Sequence, residues 1–425
     1  MKNAKRSAVW SILLVALCWR ATADGQITPS DDADTDTNTT SPTRNFGTSP
    51  LLGQTETVLH SFANSPDGAN PRYVTPVLDA RGNLYGTTNY GGAYGFGTVF
   101  ELAPSGTEKI LHSFDVNGTD GAYPEASLVL YEGSLYGTTA EGGTDNIYGT
   151  VFKLSPPATF CRTILCPLVE RILHSFGMSG DGSQPYAVLT ADTHGNLYGT
   201  TNVGGAYSQG TVFEVTSSGT ETTLWSFGNG TDGANPVAGV VLDTQGNLYG
   251  TTEYGGAYNQ GTVFEVASSG TESILWSFGN GTDGANPLGG VILDTQGNLF
   301  GTTANGGVYG DGTVFELMPS WTETILHNFD NNDIDGTHPY AGLVMDAQGN
   351  LYGTTISGGG ISGAAGTVFE LTPSGGTETI LHTFGGSGDG AFPWGGLVFD
   401  GSGNLYGTTF SGGANGDGTV FKLTP

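Results

Sequence analysis

Charge is scarce in this chain, and positive charge is scarcer still. Only 12% of its 425 residues are charged, about half the usual share. Twelve lysines and arginines face 40 aspartates and glutamates, for a net charge of −28. Such a surface repels phosphate backbones and anionic lipid, which argues against nucleic-acid and membrane-surface partners. Cysteine is limited to three residues, too few for a disulfide scaffold. No window carries the apolar spacing of a long amphipathic helix. The apolar stretch near the start, from Ala8 to Trp19, is too short to span a bilayer comfortably. Catalytic strings are missing as well: there is no H-E-x-x-H and no Ser-His-Asp order. Paired carboxylates for glycoside hydrolysis remain open, because across a repeated fold they leave no spacing rule.

Glycine and aromatic residues, by contrast, abound. Glycine supplies 72 positions, far above its usual level of about 7%. The 19 prolines and the lack of a three-residue glycine period exclude collagen. The 45 aromatic residues give too apolar a chain for disorder. Together these features describe a turn-rich β protein.

Residues 1–23 read as a secretory signal, with Lys2, Lys5 and Arg6 at its positive end and Ala21-Thr22-Ala23 as the cleavage site. Cys18 would suggest lipidation, but Leu17 stands before it where a small residue is needed. Cleavage removes four basic residues and no acid, leaving −32. Residues 24–51 are rich in Asp, Thr, Ser and Pro and are expected to form a flexible acidic tether. The mature protein is thus expected to be secreted and monomeric, with no membrane insertion after cleavage.

Residues 52–425 are dominated by repetition. The string G-N-L-Y-G-T-T begins at Gly82 and recurs from Gly133, Gly195, Gly246, Gly297, Gly349 and Gly403, with Ser134 and Phe300 as the substitutions. Each unit holds four short apolar runs. In the first they are Val74–Asp79, Asn83–Thr88, Thr98–Leu102 and Thr107–Phe114. Tight turns follow the first and third runs, and the other two connections are longer loops containing Asp67-Gly68 and Gly91-Gly92. Four antiparallel strands repeated seven times predict a seven-bladed β-propeller. A solenoid would need polar capping repeats, and neither end supplies one. The phase of the repeat points the same way: residues 55–62 form a lone fourth-type strand, while 418–423 form a third-type strand lacking its partner. Pairing the two closes a ring and removes two sheet edges.

These repeated strings, with T-E-T-I-L-H-S-F and G-T-V-F-E-L beside them, resemble the bacterial GloVer tandem repeat of "choice-of-anchor" surface proteins. The resemblance covers all seven copies and implies an extracellular, propeller-like array; it carries no activity with it. The chain departs from the anchored members in ending at Pro425 directly after a strand, with no sorting tail, so the resemblance leaves open how or whether it is anchored.

Five histidines share one repeat position: His60, His112, His174, His327 and His382. A metal ring is one reading, but Trp225 and Trp276 hold the position in the fourth and fifth units, and tryptophan is no ligand. Packing between blades is the simpler account. Seven aspartates also recur: Asp67, Asp120, Asp181, Asp232, Asp283, Asp335 and Asp389. Calcium loops usually place several acids at alternate positions, and these loops mostly have one. Turn-shaping is therefore preferred, with calcium a minor alternative and no other cofactor expected. The Gly-Gly pairs precede strands rather than helices, so they offer no phosphate cradle. Cys161 and Cys166 lie in the longest unit. They are expected to form a local disulfide, since a zinc site would need two further ligands.

Positions that vary between copies are free to specialise. The two longer loops of each unit share one face of the disc, and that face holds nearly all the variation. Arg72, Tyr90, Glu125, Glu141, Tyr254, His338, Tyr340 and Trp394 are the candidate ligand contacts, with Trp394 the expected stacking platform. Aromatic and amide side chains suit sugars. The expectation is a binding module for a glycan or a surface protein. The alternatives are a carbohydrate-active hydrolase or lyase and a purely structural or adhesive protein.

Overall fold

A computed structural model describes residues 55–424 apart from 157–167, 178–179, 332–333, 361–364 and 373–376. The expected signal, the tether and both loop cysteines lie outside the described residues.

The repeated string owes its composition to the job of each residue in the blade. In the first unit Leu84 is buried in the core. Tyr85 and Asn83 both reach Asp79, which shapes the tight turn before them. Gly86 leaves room for Phe100, whose ring would stand 2.6 Å from any Cβ at that position. Thr87 donates across to Ala126 O of the next unit at 2.8 Å, and Thr88 bonds Thr98 within its own.

Seven four-stranded antiparallel sheets result, arranged as a propeller. The first contains Val77–Leu78, Leu84–Thr88, Thr98–Leu102 and Glu108–Ser113. Its innermost strand is shorter than the run of apolar residues predicts. Where its ladder stops, threonine hydroxyls take over. Each Gly-Thr-Thr donates to a backbone carbonyl of the following unit, ending with Thr408 to Val74 O at 2.7 Å, from the last unit to the first.

The ring closes as the repeat phase predicts. Thr55–Ser61 pairs with Thr419–Thr424, from Thr55 opposite Thr424 to Ser61 opposite Thr419. The apolar cores lie between blades rather than within them: Phe62 and Val420 pack with Leu84, Phe100 and Leu102. A pair of phenylalanines bridges each of the seven seams, with centroids 4.9 to 5.3 Å apart.

Every outermost strand carries a β-bulge that simple alternation does not anticipate. Phe100 lies opposite Ile110 but Val99 opposite His112, so Leu111 is the extra residue. A bulge reverses which side later residues face. Glu108 and His112 are four positions apart and would otherwise share a side. Instead Glu108 meets the seam before its blade and His112 the seam after it.

Candidate functional site

Each unit pairs its two longer loops in a small ribbon, as Gly68–Ala69 does with Tyr90–Gly91. The two loops therefore share a face. The residue before each loop proline adopts a left-handed conformation in all seven units, including Tyr123, His338 and Phe392 (φ 54°, 58° and 57°). Bulky side chains rarely adopt this conformation, and tertiary contacts must hold it. Here its N–H bonds a carbonyl of the preceding unit, as Tyr123 N does with Phe96 O at 2.9 Å.

Next to these prolines, a cavity of about 370 Å³ is lined by the innermost segments of the blades. Most of its wall is valine, leucine, alanine and glycine; Tyr73, Tyr186, Tyr340 and Trp394 are its aromatic members. One sector breaks the sevenfold pattern. Arg72 Nη1 donates to Glu125 Oε1 at 3.1 Å, and Asn89 Nδ2 donates to the same oxygen at 2.9 Å. The guanidinium also lies over Tyr73 and Trp394, 5.2 and 5.1 Å from their centroids. Trp394 stacks on Phe410 at 4.6 Å and lies 6.2 Å from Tyr340.

Burial raises the Glu125 carboxyl above its usual range, against the pull of Arg72. Burial opposes the charge on Arg72 too, but Glu125 and Tyr73 outweigh it and hold the guanidinium charged. The Tyr186 hydroxyl is pushed up to about 12, chiefly by burial, and remains a neutral donor. The sector therefore offers a fixed cation–carboxylate pair within an aromatic surround.

Of the eight predicted residues, Arg72, Glu125, Tyr340 and Trp394 come together here. Tyr90 lies against Tyr123, whose hydroxyl is raised first by burial and then by Glu141. Tyr254 is exposed and interacts with Glu253. His338 occupies a left-handed position beside Pro339 and Tyr340. Trp394 stacks on Phe410 and has the Arg72 guanidinium 5.1 Å from its ring centroid. Tyr73 escaped sequence reasoning, yet a signal existed. Unit one is a residue longer between its proline and its turn aspartate (Pro71 to Asp79) than units three to seven (Pro185 to Asp192). The insertion places Tyr73 in a left-handed conformation at the cavity.

The recurring histidines and aspartates meet at the seams between blades. The histidines do pack, as His60 does edge-on against Phe62. Their Nε2 atoms also bond the recurring aspartates, at 3.0 to 3.2 Å. Trp225 Nε1 makes the equivalent bond to Asp232 at 3.1 Å. Sequence analysis missed a third member of each cluster. Glu56, Glu108, Glu170, Glu221, Glu272, Glu323 and Glu378 occupy one repeat position. At five seams, ligand atoms of His, Asp and Glu lie within 4.8 Å of one another. Tryptophan occupies the histidine position at the remaining two, so the arrangement does not depend on a metal ligand there.

The architecture defines a seven-bladed β-propeller built from copies of one unit. Within that class, the chain belongs to the Gloeobacter/Verrucomicrobia repeat family, whose model matches residues 46–168, 166–363 and 288–425. No curated protein has a matching sequence. Among solved structures, virginiamycin B lyase from Staphylococcus aureus is similar, with 13% identity, a TM-score of 0.55, and 88% of this chain and 99% of that one covered. Oligogalacturonate lyase from Vibrio parahaemolyticus gives 11% identity and a TM-score of 0.54, covering 87% and 93%. The extracellular domain of a protein assigned as a one-component system from B. thetaiotaomicron gives 10% and 0.52, covering 85% of this chain and 39% of that one. Identities this low establish shared fold alone. Among the described residues, no helix is long and apolar enough to cross a membrane.

Proposed function

We propose that the protein is an exported binding module that takes one sugar residue of a glycan in the central cavity, against Tyr73 and Trp394 and beside the Arg72–Glu125 pair. The observation that carries this reading is the departure from symmetry. The loop proline recurs in all seven units, yet among the described residues one sector alone gathers an arginine–carboxylate ion pair and an aromatic surround. A sugar needs apolar faces for its C–H surfaces and fixed donors and acceptors for its hydroxyls, and this sector supplies both. The volume suits one monosaccharide rather than a chain.

Purified residues 24–425 on a glycan array, with product analysis on each hit, test the reading. Trp394→Ala should leave the fold intact and weaken binding by about 2 kcal/mol, about thirty-fold in Kd. A ligand that protects the tight turns from hydrogen exchange, and leaves the loop face unprotected, would refute the assignment. Cleaved product would instead identify a hydrolase or lyase.

A further inference from the structure

We propose that a proton held between glutamic acid and aspartate closes the seams between blades, so that the propeller is tightened in mild acid and loosened in alkali. The geometry repeats around the ring. A glutamate from the outermost strand of one blade approaches an aspartate from the loop leading into that blade, and a histidine of the previous blade, or Trp225 at one of the two tryptophan seams, donates to that aspartate. At the closing seam the aspartate is otherwise engaged: Asp67 accepts Gly68 N at 2.7 Å, Ala63 N at 3.0 Å and His60 Nε2 at 3.2 Å. The glutamate is the member left over. Oε1 of Glu56, Glu108, Glu170, Glu272, Glu323 and Glu378 is buried without a hydrogen-bond partner. Two ionised carboxylates in such a place repel, whereas a protonated one donates to its neighbour.

The two tryptophan seams isolate this logic, because no imidazole competes for the proton. Asp232 is the charged group acting on Glu272, and Asp283 the one acting on Glu323. Burial and then the aspartate raise both glutamates, Glu323 to about 7. At the histidine seams, Glu108 faces Asp67 and His60, Glu170 faces His112 and Asp120, and Glu378 faces Asp335 and His327. Glu56 faces Asp389 and His382, and Glu221 faces Asp181 and His174. All five are raised, first by burial.

A glutamate whose folded value lies above its unfolded value of 4.5 stabilises fully below 4.5, and that contribution fades as pH climbs through the folded value. The melting temperature should therefore fall from pH 5 to pH 9. The high negative charge of the chain acts in the same direction, so the slope alone decides nothing. Proton counting does. At pH 6, unfolding followed by calorimetry in buffers of different ionisation enthalpy should release protons from the wild type. Glu272→Gln keeps a donor for Asp232 but cannot titrate, and should release about one proton fewer; with Glu323→Gln added, about two fewer. Exposed Glu132→Gln should release the wild-type number. Equal counts for Glu272→Gln and wild type would overturn the proposal.

Infrared spectra of the native wild type provide a check that needs no variant. The carbonyl band of a protonated carboxylic acid should persist at pH 6 and vanish in alkali, and its absence at pH 6 would overturn the proposal. Chelator-washed protein must give the same band and count. If either appeared only after adding Zn²⁺ or Ca²⁺, a cation rather than a proton would occupy the seams.

Discussion

Deleting residues 1–63 is expected to abolish cooperative unfolding of the ring, whereas deleting 1–50 should leave the melting temperature near that of the whole chain. The longer deletion removes the whole outermost strand of the seventh blade, six register pairs against Thr419–Thr424. It also removes Phe62, fully buried against Phe100 across the closing seam. Emptying one buried phenylalanine site costs about 3–5 kcal/mol. The exposed strand edge and the loss of closure add to this, and the whole stability of a domain is only about 5–15 kcal/mol. Circular dichroism melts of the two truncations check the result. Should the longer one fail to express, Phe62→Ala in the full chain should still lower stability by about 3–5 kcal/mol. Equal melting of both truncations would mean that the terminal strand contributes nothing to closure.

The second large effect concerns a glycine and the ring it accommodates. Phe264 is fully buried, and a Cβ on Gly250 would sit 2.6 Å from its Cζ. Phe264→Ala should cost about 3–5 kcal/mol through the cavity it leaves. Gly250→Ala should cost about 1–3 kcal/mol by overpacking. In the double variant the new methyl enters space the ring has vacated, so its cost should fall below the sum of the single costs. Urea denaturation of the four proteins measures that coupling. A strictly additive double variant would show that the glycine is kept for some other reason.

Much of the architecture could be read before any coordinates, because a repeat states its own register seven times over. The blade count, the tight turns and the closing strand all followed from where G-N-L-Y-G-T-T recurs and where the phase breaks. The bulge at Leu111 did not follow, since alternation along I-L-H reads smoothly in either register. Missing the bulge also hid the seam glutamates: without it, Glu108 and His112 seem to share a side, and nothing suggests that each meets a different neighbour. The candidate site was half legible. Variation between copies pointed to Arg72, Glu125, Tyr340 and Trp394. It could not reveal that one inserted residue beside Pro71 turns Tyr73 into the same cluster. Asn89 stayed hidden too, because an asparagine beside Gly-Thr-Thr carries no sign that its amide reaches Glu125.

The closing strand also determines how the molecule responds to pulling. Thr55 faces Thr424, so both ends of the closed ring emerge at the same end of one antiparallel ladder. Force applied between those ends loads the first register pair alone, then the next, and the strands peel apart like a zip instead of sliding in shear. Breaking the pairs singly needs far less force than breaking six together. A propeller of this design is therefore mechanically frail when stretched between its two ends.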